Sequence, residues 1–292
     1  MAVAIYFVEY LRIISVVKVR ILLACYNGEE YISDFLDSVL LQTYEHWELV
    51  VRDDISTDKT LTVLNDYAKK YPNKIRLVSK GSVRLGPMRN FSKLAEEIGE
   101  EGMCYMFADQ DDYWLPDKIL TAVKTYESKI PPNERSKPVL IYTDLIVVNS
   151  HLVKINDSLL SMMGLKKSHD VYDYLVYRNV VTGCTCFFNQ AAKITAFPAP
   201  SEAVMHDWWL AICVSNTGVI KYIEKKDILY RQHVNNVVGA SNYSFTSRLI
   251  ALFDFHNWLS RVRKNYRMAR MSGFRQGFLV YLFFKTLIVV FR

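Results

Sequence analysis

The sequence predicts an α/β fold on a mostly parallel sheet flanked by helices, and three observations predict it. Short apolar runs alternate with segments whose apolar residues recur at helical spacing through the first half of the chain, the pattern of successive βαβ units. Polar and acidic residues follow each of the first four runs, so ligand-type side chains collect at the carboxyl ends of strands, where open α/β sheets bind. A chain of 292 residues with 51% hydrophobic content and only 11 Gly and 8 Pro can bury a full core and is not a disordered or collagen-like one.

Residues 19–24 form the first strand, and Ile32, Phe35, Leu36, Val39 and Leu40 give the packed face of the following helix. Residues 47–52 are the second strand, ending in Asp53-Asp54. Leu61, Leu64, Tyr67 and Ala68 mark the inward face of a helix over 59–70. A third strand over 75–79 and a helix over 90–98 follow, and the apolar run 103–108 is the fourth strand. Pro116 opens the next helix at its first turn. The Pro-rich stretch 131–138 is a loop. Beyond it, 139–143 and 146–149 read as strands, 171–178 as a helix, 183–189 as a strand and 206–216 as a helix with Trp208 and Trp209 near its start. No internal repeat interrupts this order.

The net charge of +6 is placed unevenly: residues 246–292 carry nine Arg and Lys against one acid, Asp254, a net +8, and leave the rest at −2. These cations are interleaved with Phe, Tyr, Leu and Ile and match no nucleic-acid motif, which points to an anionic membrane surface and away from nucleic acid. The expected organisation is an N-terminal extension (1–18), a catalytic domain (19–240) and a basic helical segment (241–292) that associates with the membrane or packs on the domain. The apolar run 278–291 is shorter than the roughly 20 residues a spanning helix needs. Five cysteines (Cys25, Cys104, Cys184, Cys186, Cys213) lack framework spacing, and no cleavable signal is evident, so a reducing cytosol is expected. Cys184 and Cys186 form a lone C-x-C and read as strand residues.

The densest chemistry lies behind the fourth strand, where Asp109, Asp111 and Asp112 fall within four residues. Ionising all of them is costly unless a cation intervenes, and hard carboxylate oxygens suit Mg²⁺ or Mn²⁺. A preference for helix starts explains one such acid, not three. Tyr26 after strand one, Asp53 and Asp54 after strand two and Arg89 after strand three complete a surface suited to a nucleoside diphosphate: stacking, base-edge acceptance, phosphate charge and metal bridging. A dinucleotide dehydrogenase is disfavoured, since only Gly28 follows strand one and no G-x-G-x-x-G occurs there; a Walker loop is absent too.

Arg20-Ile21-Leu22-Leu23-Ala24-Cys25-Tyr26-Asn27-Gly28, Arg52-Asp53-Asp54 with Ser56-Thr57-Asp58, Asp109-Gln110-Asp111-Asp112-Tyr113-Trp114, His206-Asp207-Trp208-Trp209 and Tyr230-Arg231-Gln232-His233 together resemble the family 2 glycosyltransferases of the GT-A fold. Tyr142-Thr143-Asp144-Leu145, Val181-Thr182-Gly183 and 235–240 are similar to bacterial rhamnosyltransferases that build rhamnose-rich cell-wall and capsular polysaccharides. The resemblance implies a Rossmann-like mixed sheet and a nucleotide-sugar site. Tyr26 stacks on the pyrimidine, Asp53 and Asp54 serve the base, and Arg89 lies near the diphosphate or sugar. Asp109 and Asp111 are the outer acids of the D-x-D, and His233 and Arg231 close over the metal and diphosphate. Asp207 is the base, and Trp208, Thr182 and Gly183 shape the acceptor cleft. Cys25, where many relatives carry Ser or Thr, and Ile55, where Gly is common, depart from the pattern.

The implied activity is inverting, metal-dependent transfer of L-rhamnose from dTDP-β-L-rhamnose to a lipid-linked polysaccharide acceptor, with Mn²⁺ or Mg²⁺ as cofactor, at the inner face of the cell membrane. The alternatives are a UDP-hexose or UDP-N-acetylhexosamine transferase of the same fold and, from another class, a non-catalytic nucleotide-sugar-binding partner.

Overall fold

The computed structural model describes residues 16–78, 82–98, 103–165, 172–233 and 255–290. Nine strands form one mixed sheet: β1 (Lys18–Cys25), β2 (Trp47–Asp53), β3 (Ile75–Leu77), β4 (Met103–Ala108), β5 (Tyr113–Trp114), β6 (Val139–Val148), β7 (Lys154–Asn156), β8 (Phe187–Asn189) and β9 (Val219–Arg231). The order is β3-β2-β1-β4-β8-β6-β9-β5, with β7 paired to β6. The β3-β2-β1-β4 half is parallel, as the βαβ pattern requires. Antiparallel β8 joins it to β6, which runs parallel to β9.

Alternation along the strands sends side chains to two separate cores. Leu22, Val50, Tyr105, Phe107, Tyr142 and Phe188 enter one core, and Ile21, Leu23, Leu49, Val51, Met106 and Ile141 the other. The second core is closed by α1 (Ile32–Leu40), α2 (Thr60–Lys70) and α4 (Lys118–Lys129). The first is closed by α3 (Pro87–Glu97), α6 (Tyr172–Leu175), α7 (Gln190–Ala196), α8 (His206–Thr217), α9 (Phe255–Met271) and α10 (Phe278–Val290); the short α5 (Leu159–Met162) lies against β6. Residues 206–214 of α8 are all buried, so this helix has no polar face and owes its place to packing on every side. Its outer cover is α9 and α10, whose Val262, Met268, Ala269 and Tyr281 join the same core. The buried Val262 and Met268 side chains each contribute about 1.5–3 kcal/mol.

Several elements differ from their sequence expectations for local reasons. The two strands expected over 139–143 and 146–149 are one strand, β6, whose register against β9 shifts at Thr143, Asp144 and Ile146. The Asp144 carboxylate holds that irregularity, accepting from the backbone N–H of Leu145 (2.9 Å) and Leu160 (3.2 Å) and from the Ser158 hydroxyl (2.5 Å). The strand expected over 183–189 begins as a 3₁₀ turn at Gly183–Thr185, because the Thr185 hydroxyl folds back onto the Thr182 carbonyl at 2.7 Å. The thirteen-residue β9 was not expected from the pattern. The expected boundary at 240–241 and most of the expected extension 1–18 lie outside the described residues, as does the 235–240 motif.

Candidate active site

Register places the ends of three strands at one edge. Cys25 pairs with Asp53, and Leu23 with Ala108, so Tyr26, Asp54 and Asp109 emerge side by side. They open onto a cavity of about 700 Å³ whose wall also includes Arg84, Asp111, Thr182, Gly183, His206, Asp207, Trp208 and His233.

The Tyr26 backbone is clasped by the Gln110 side-chain amide, which accepts from its N–H (2.9 Å) and donates to its carbonyl (2.8 Å), much as a neighbouring strand would. A side chain at Gly28 would meet Gln110 at 2.4 Å, so the clasp requires glycine there. One face of the Tyr26 ring lies under the Arg84 guanidinium, 3.6 Å from the ring centroid. Arg89, the arginine singled out in the sequence, is exposed on α3 and is not part of the cavity wall; Arg84, five residues earlier, is. Gly86, in the left-handed region at φ 76°, turns the chain between them. Asp54 fixes that turn by accepting from the N–H of Leu85 (2.8 Å) and Gly86 (2.7 Å) and lies 3.5 Å from Arg52. Asp53 points elsewhere: it accepts from the Ser56 N–H (2.9 Å) and hydroxyl (2.5 Å) and orders the loop after β2 without reaching the cavity. Ile55 in that loop has φ 65°, a strained conformation for a β-branched residue.

Asp109 and Asp111 face the cavity, whereas Asp112 is fully buried behind them. Burial, reinforced by the charges of Asp111 and Asp207, pushes the Asp109 carboxyl well above its ordinary range. Asp112 is driven up by burial and by Asp111 and Asp109; one of its oxygens accepts weakly from the Arg231 N–H (3.4 Å), and the other has no hydrogen-bond partner. His233 Nε2 sits 2.8 Å from Asp111 Oδ2, its ring tilted against Tyr31 with centroids 4.9 Å apart. Arg231 reaches past the cavity: its guanidinium bonds the Asp111 carbonyl (2.9 Å), the Ser150 carbonyl (2.5 Å) and Asp34 (2.8 Å), bracing the acidic loop from behind.

Two sets of groups sharing Asp109 bear on cation binding, and among the described residues only the first brings all its ligand atoms close together. Asp109, Asp112 and Cys184 each offer a ligand atom, all within 4.8 Å of one another. Asp109, Asp111 and His233 instead line the cavity together. The second set fits Mn²⁺ or Mg²⁺ better: it combines oxygen donors with an imidazole and faces the space a diphosphate would enter, whereas the first sets a soft, buried thiol among its donors.

Also on the cavity wall, Asp207 lies in the first turn of α8, with Oδ1 accepting from the Trp208 N–H at 2.6 Å. Burial raises its pKa to about 6 even though hydrogen bonds from Trp208, Gly183 and Asn179 favour the ionised form. Thr182 and Gly183 form the adjoining wall, and Trp208 is anchored by its indole N–H to the Leu175 carbonyl (2.6 Å). His206 was not singled out in the sequence beyond its motif. It is 4% exposed, stacked on Phe91 (3.9 Å) and edge-on to Phe107 (4.7 Å), and neither ring nitrogen has a partner; burial lowers its pKa to about 3, which keeps it neutral. Nothing in the sequence distinguishes it from an ordinary core histidine.

Residues 20–129 match the sequence profile of glycosyl transferase family 2. A dTDP-rhamnosyl transferase of Shigella flexneri, RfbG, is 28% identical over 236 residues, covering 77% of this chain and 76% of that protein. The fold matches S. aureus TarS 1-349, solved in complex with UDP-GlcNAc, at a TM-score of 0.56 and 20% identity, over 78% of this chain and 61% of the TarS chain. It also matches the mannosyltransferase PcManGT from Pyrobaculum calidifontis, solved with GDP-Man and Mn²⁺, at a TM-score of 0.51 and 18% identity, over 80% of this chain and 65% of that one.

Proposed function

We propose a donor and a mechanism for this glycosyltransferase, whose residues 20–129 form a family 2 domain: metal-dependent, inverting transfer of L-rhamnose from dTDP-β-L-rhamnose to a lipid-linked saccharide at the inner face of the cell membrane. The observation that carries the mechanism is the convergence of Asp109, Asp111, His233 and Asp207 on one cavity, since it brings donors suited to a hard cation together with a carboxylate of raised pKa. The choice of rhamnose is supported by the likeness to the Shigella protein over 77% of this chain.

Asp109, Asp111 and His233 would hold the metal, which supplies positive charge to the leaving diphosphate. Arg84 and Tyr26 flank the nucleotide end of the cavity, and the backbone clasp by Gln110 keeps Tyr26 in place. Asp207 takes the proton of the acceptor hydroxyl as that oxygen attacks the anomeric carbon from the face opposite the diphosphate. The anomeric C–O bond to the phosphate breaks as the new glycosidic bond forms, so the configuration inverts in one displacement. A carboxylate with a pKa of about 6 is a stronger base than an ordinary aspartate and is still mostly ionised at neutral pH.

Thermal unfolding with each nucleotide sugar, with and without Mn²⁺, tests the donor. A ligand at a hundred times its Kd adds about 2.7 kcal/mol to apparent stability, which is readily measured. dTDP-β-L-rhamnose is expected to stabilise in the presence of Mn²⁺ and UDP-glucose to do so weakly. The reverse order would replace the rhamnosyl reading with a UDP-hexose one, the direction suggested by a Bacillus spizizenii poly(ribitol-phosphate) beta-glucosyltransferase 38% identical over 108 residues. Stabilisation by neither would remove the nucleotide-sugar reading.

A further inference from the structure

Helix α10 buries one side and leaves the other without cover. Tyr281 is fully buried and Phe278 and Leu282 pack on the core, while Leu279 (77% exposed), Phe283 (60%) and Val280 (43%) lie on the opposite side with Leu287 a turn further along. Phe284 adds a further exposed ring at 42%. Spacing of four residues between Leu279, Phe283 and Leu287 makes this a continuous apolar stripe. The stripe is flanked by positive charge. Arg263, Lys264, Arg267 and Arg270 lie on the outward side of α9, and Arg275 stands in the turn just before α10, all exposed. No acidic residue occurs anywhere in 255–290. Among the described residues no helix is long and apolar enough to cross a membrane.

The buried side of α10 grips the wall of the active-site cavity. Three successive carbonyls of the segment leading into that wall are each taken: Leu175 by the Trp208 indole N–H (2.6 Å), Val176 by the Tyr281 hydroxyl (2.9 Å) and Tyr177 by the Lys285 ammonium. Lys285 also lies over the Trp208 ring at 5.2 Å, and the Tyr177 ring packs against Tyr281 and Phe284. Two residues beyond Tyr177 the chain lines the cavity, from Asn179 to Gly183.

We infer that the exposed stripe of α10 and the basic outward side of α9 form one docking face for an anionic lipid bilayer, seated so that the membrane lies next to the cavity wall at 179–183. The occupant follows from complementarity: exposed Leu and Phe enter the interfacial layer, and a cluster of Arg and Lys that outnumbers Glu202, the acid lining a groove with Arg263, Lys264 and Arg267, meets anionic headgroups, each cation contributing on the order of fivefold in affinity. A second copy of this chain would bring the same positive cluster against itself and be repelled. The placement beside the cavity wall, which rests on the reading above that the acceptor is lipid-linked, would deliver the acceptor along the membrane plane to Asp207.

The test is co-flotation of the full chain with phosphatidylcholine vesicles containing about one-third phosphatidylglycerol, against vesicles of phosphatidylcholine alone. The wild type should bind the anionic vesicles, bind the neutral ones at least about tenfold more weakly, and release as salt is raised. The double variant Leu279→Glu/Phe283→Glu, at positions that carry no core packing, should lower binding at least about tenfold, and Arg263→Glu/Arg267→Glu should do the same by charge alone. Nucleotide-sugar binding by calorimetry is the control, and it should stay at the wild-type value in both variants, showing that they fold. Equal binding to neutral vesicles, or anionic binding untouched by either variant, overturns the inference. So does a wild-type dimer in sedimentation velocity that becomes a monomer in Leu279→Glu/Phe283→Glu. Failure of the wild type to bind any nucleotide sugar would strike the donor reading and leave the docking face standing on the vesicle result.

Discussion

Asp207→Asn separates three quantities that a merely structural aspartate would move together. The ionised carboxylate is held in a buried site that raises its pKa from 3.8 to about 6. That rise of a little over two units corresponds to about 3 kcal/mol, at most, of native-state destabilisation once the group is fully ionised. The sign follows from proton binding: between about pH 4 and pH 6 the native state holds the proton more tightly than the unfolded chain, so wild-type stability falls as pH rises through that window and is flat above it. Asparagine cannot ionise, and its oxygen can still accept from the Trp208 N–H that Asp207 engages at 2.6 Å. The variant should therefore match the wild type near pH 4 and exceed it by up to about 3 kcal/mol near pH 8. Turnover should drop by about 10²–10⁴-fold, the usual worth of a positioned base. Donor affinity should hold or tighten, because the charge of Asp207 is one of the influences that disfavours ionised Asp109. Urea melts at the two pH values, calorimetry with the nucleotide sugar and a turnover assay give all three quantities, and the wild-type rate should rise with pH through about 6 before levelling. A variant that is less stable near pH 8, or one that turns over at nearly the wild-type rate, refutes the reasoning; the first outcome is what a helix-supporting aspartate would give.

Other substitutions divide the site into its parts. Asp111→Asn should weaken nucleotide-sugar binding at least about tenfold when Mn²⁺ is present and abolish transfer, while changing binding little in its absence, since it removes a charged oxygen ligand; calorimetry with and without the metal shows whether the loss depends on it. Arg84→Ala should weaken nucleotide-sugar binding while shifting stability by less than about 1 kcal/mol, the worth of an exposed cation–π contact, and Arg89→Ala should leave binding unchanged; a loss confined to Arg89→Ala would return the diphosphate to the arginine the sequence suggested. Ile55→Gly should raise stability by about 0.5–1 kcal/mol, because relief of a left-handed conformation worth about 1–2 kcal/mol exceeds the entropy glycine adds to the unfolded chain; a lower denaturation midpoint would show that the Ile55 side chain contributes more by packing than its backbone costs.

What could be read from the sequence was whatever a strand buried on both faces writes into composition. β1, β2 and β4 are near-continuous apolar runs because helices cover both sides of a parallel sheet, and the acids behind β4 stood out against such a run. β9 escaped because Glu224, Lys225 and Lys226 lie exposed in its middle, which breaks the apolar signal although its backbone pairs with β6 along most of that strand. The choice between Arg84 and Arg89 was not legible for a different reason. Both follow β3, and only the turn at Gly86, tied down by Asp54, decides which one reaches the cavity. The approach of Cys184 to Asp112 is likewise a product of the antiparallel β8 entering beside β4, a pairing that spacing alone does not announce.

Charge balance explains why the cavity is built this way. Asp109, Asp111 and Asp207 share it and Asp112 lies just behind; burial and neighbouring carboxylates raise the pKa values of Asp109 and Asp112, and burial alone raises that of Asp207. Nearby buried cations are engaged elsewhere: Lys118 pairs with Asp227 at 3.5 Å, and Arg231 with Asp34 at 2.8 Å. Arg84 is spread over Tyr26. A fold selected for stability alone would have set one of its own cations among these acids, since unpaired buried carboxylates cost free energy whenever they ionise. On the proposed mechanism, leaving the balance to the ligand would make donor and metal enter as a unit. The metal alone would be offered to acids that partly hold their protons, the diphosphate alone would meet like charge, and together they neutralise both. In that proposal Asp207 would stay a competent base, because its pKa is raised by its own burial and not by the group that would bind in the cavity.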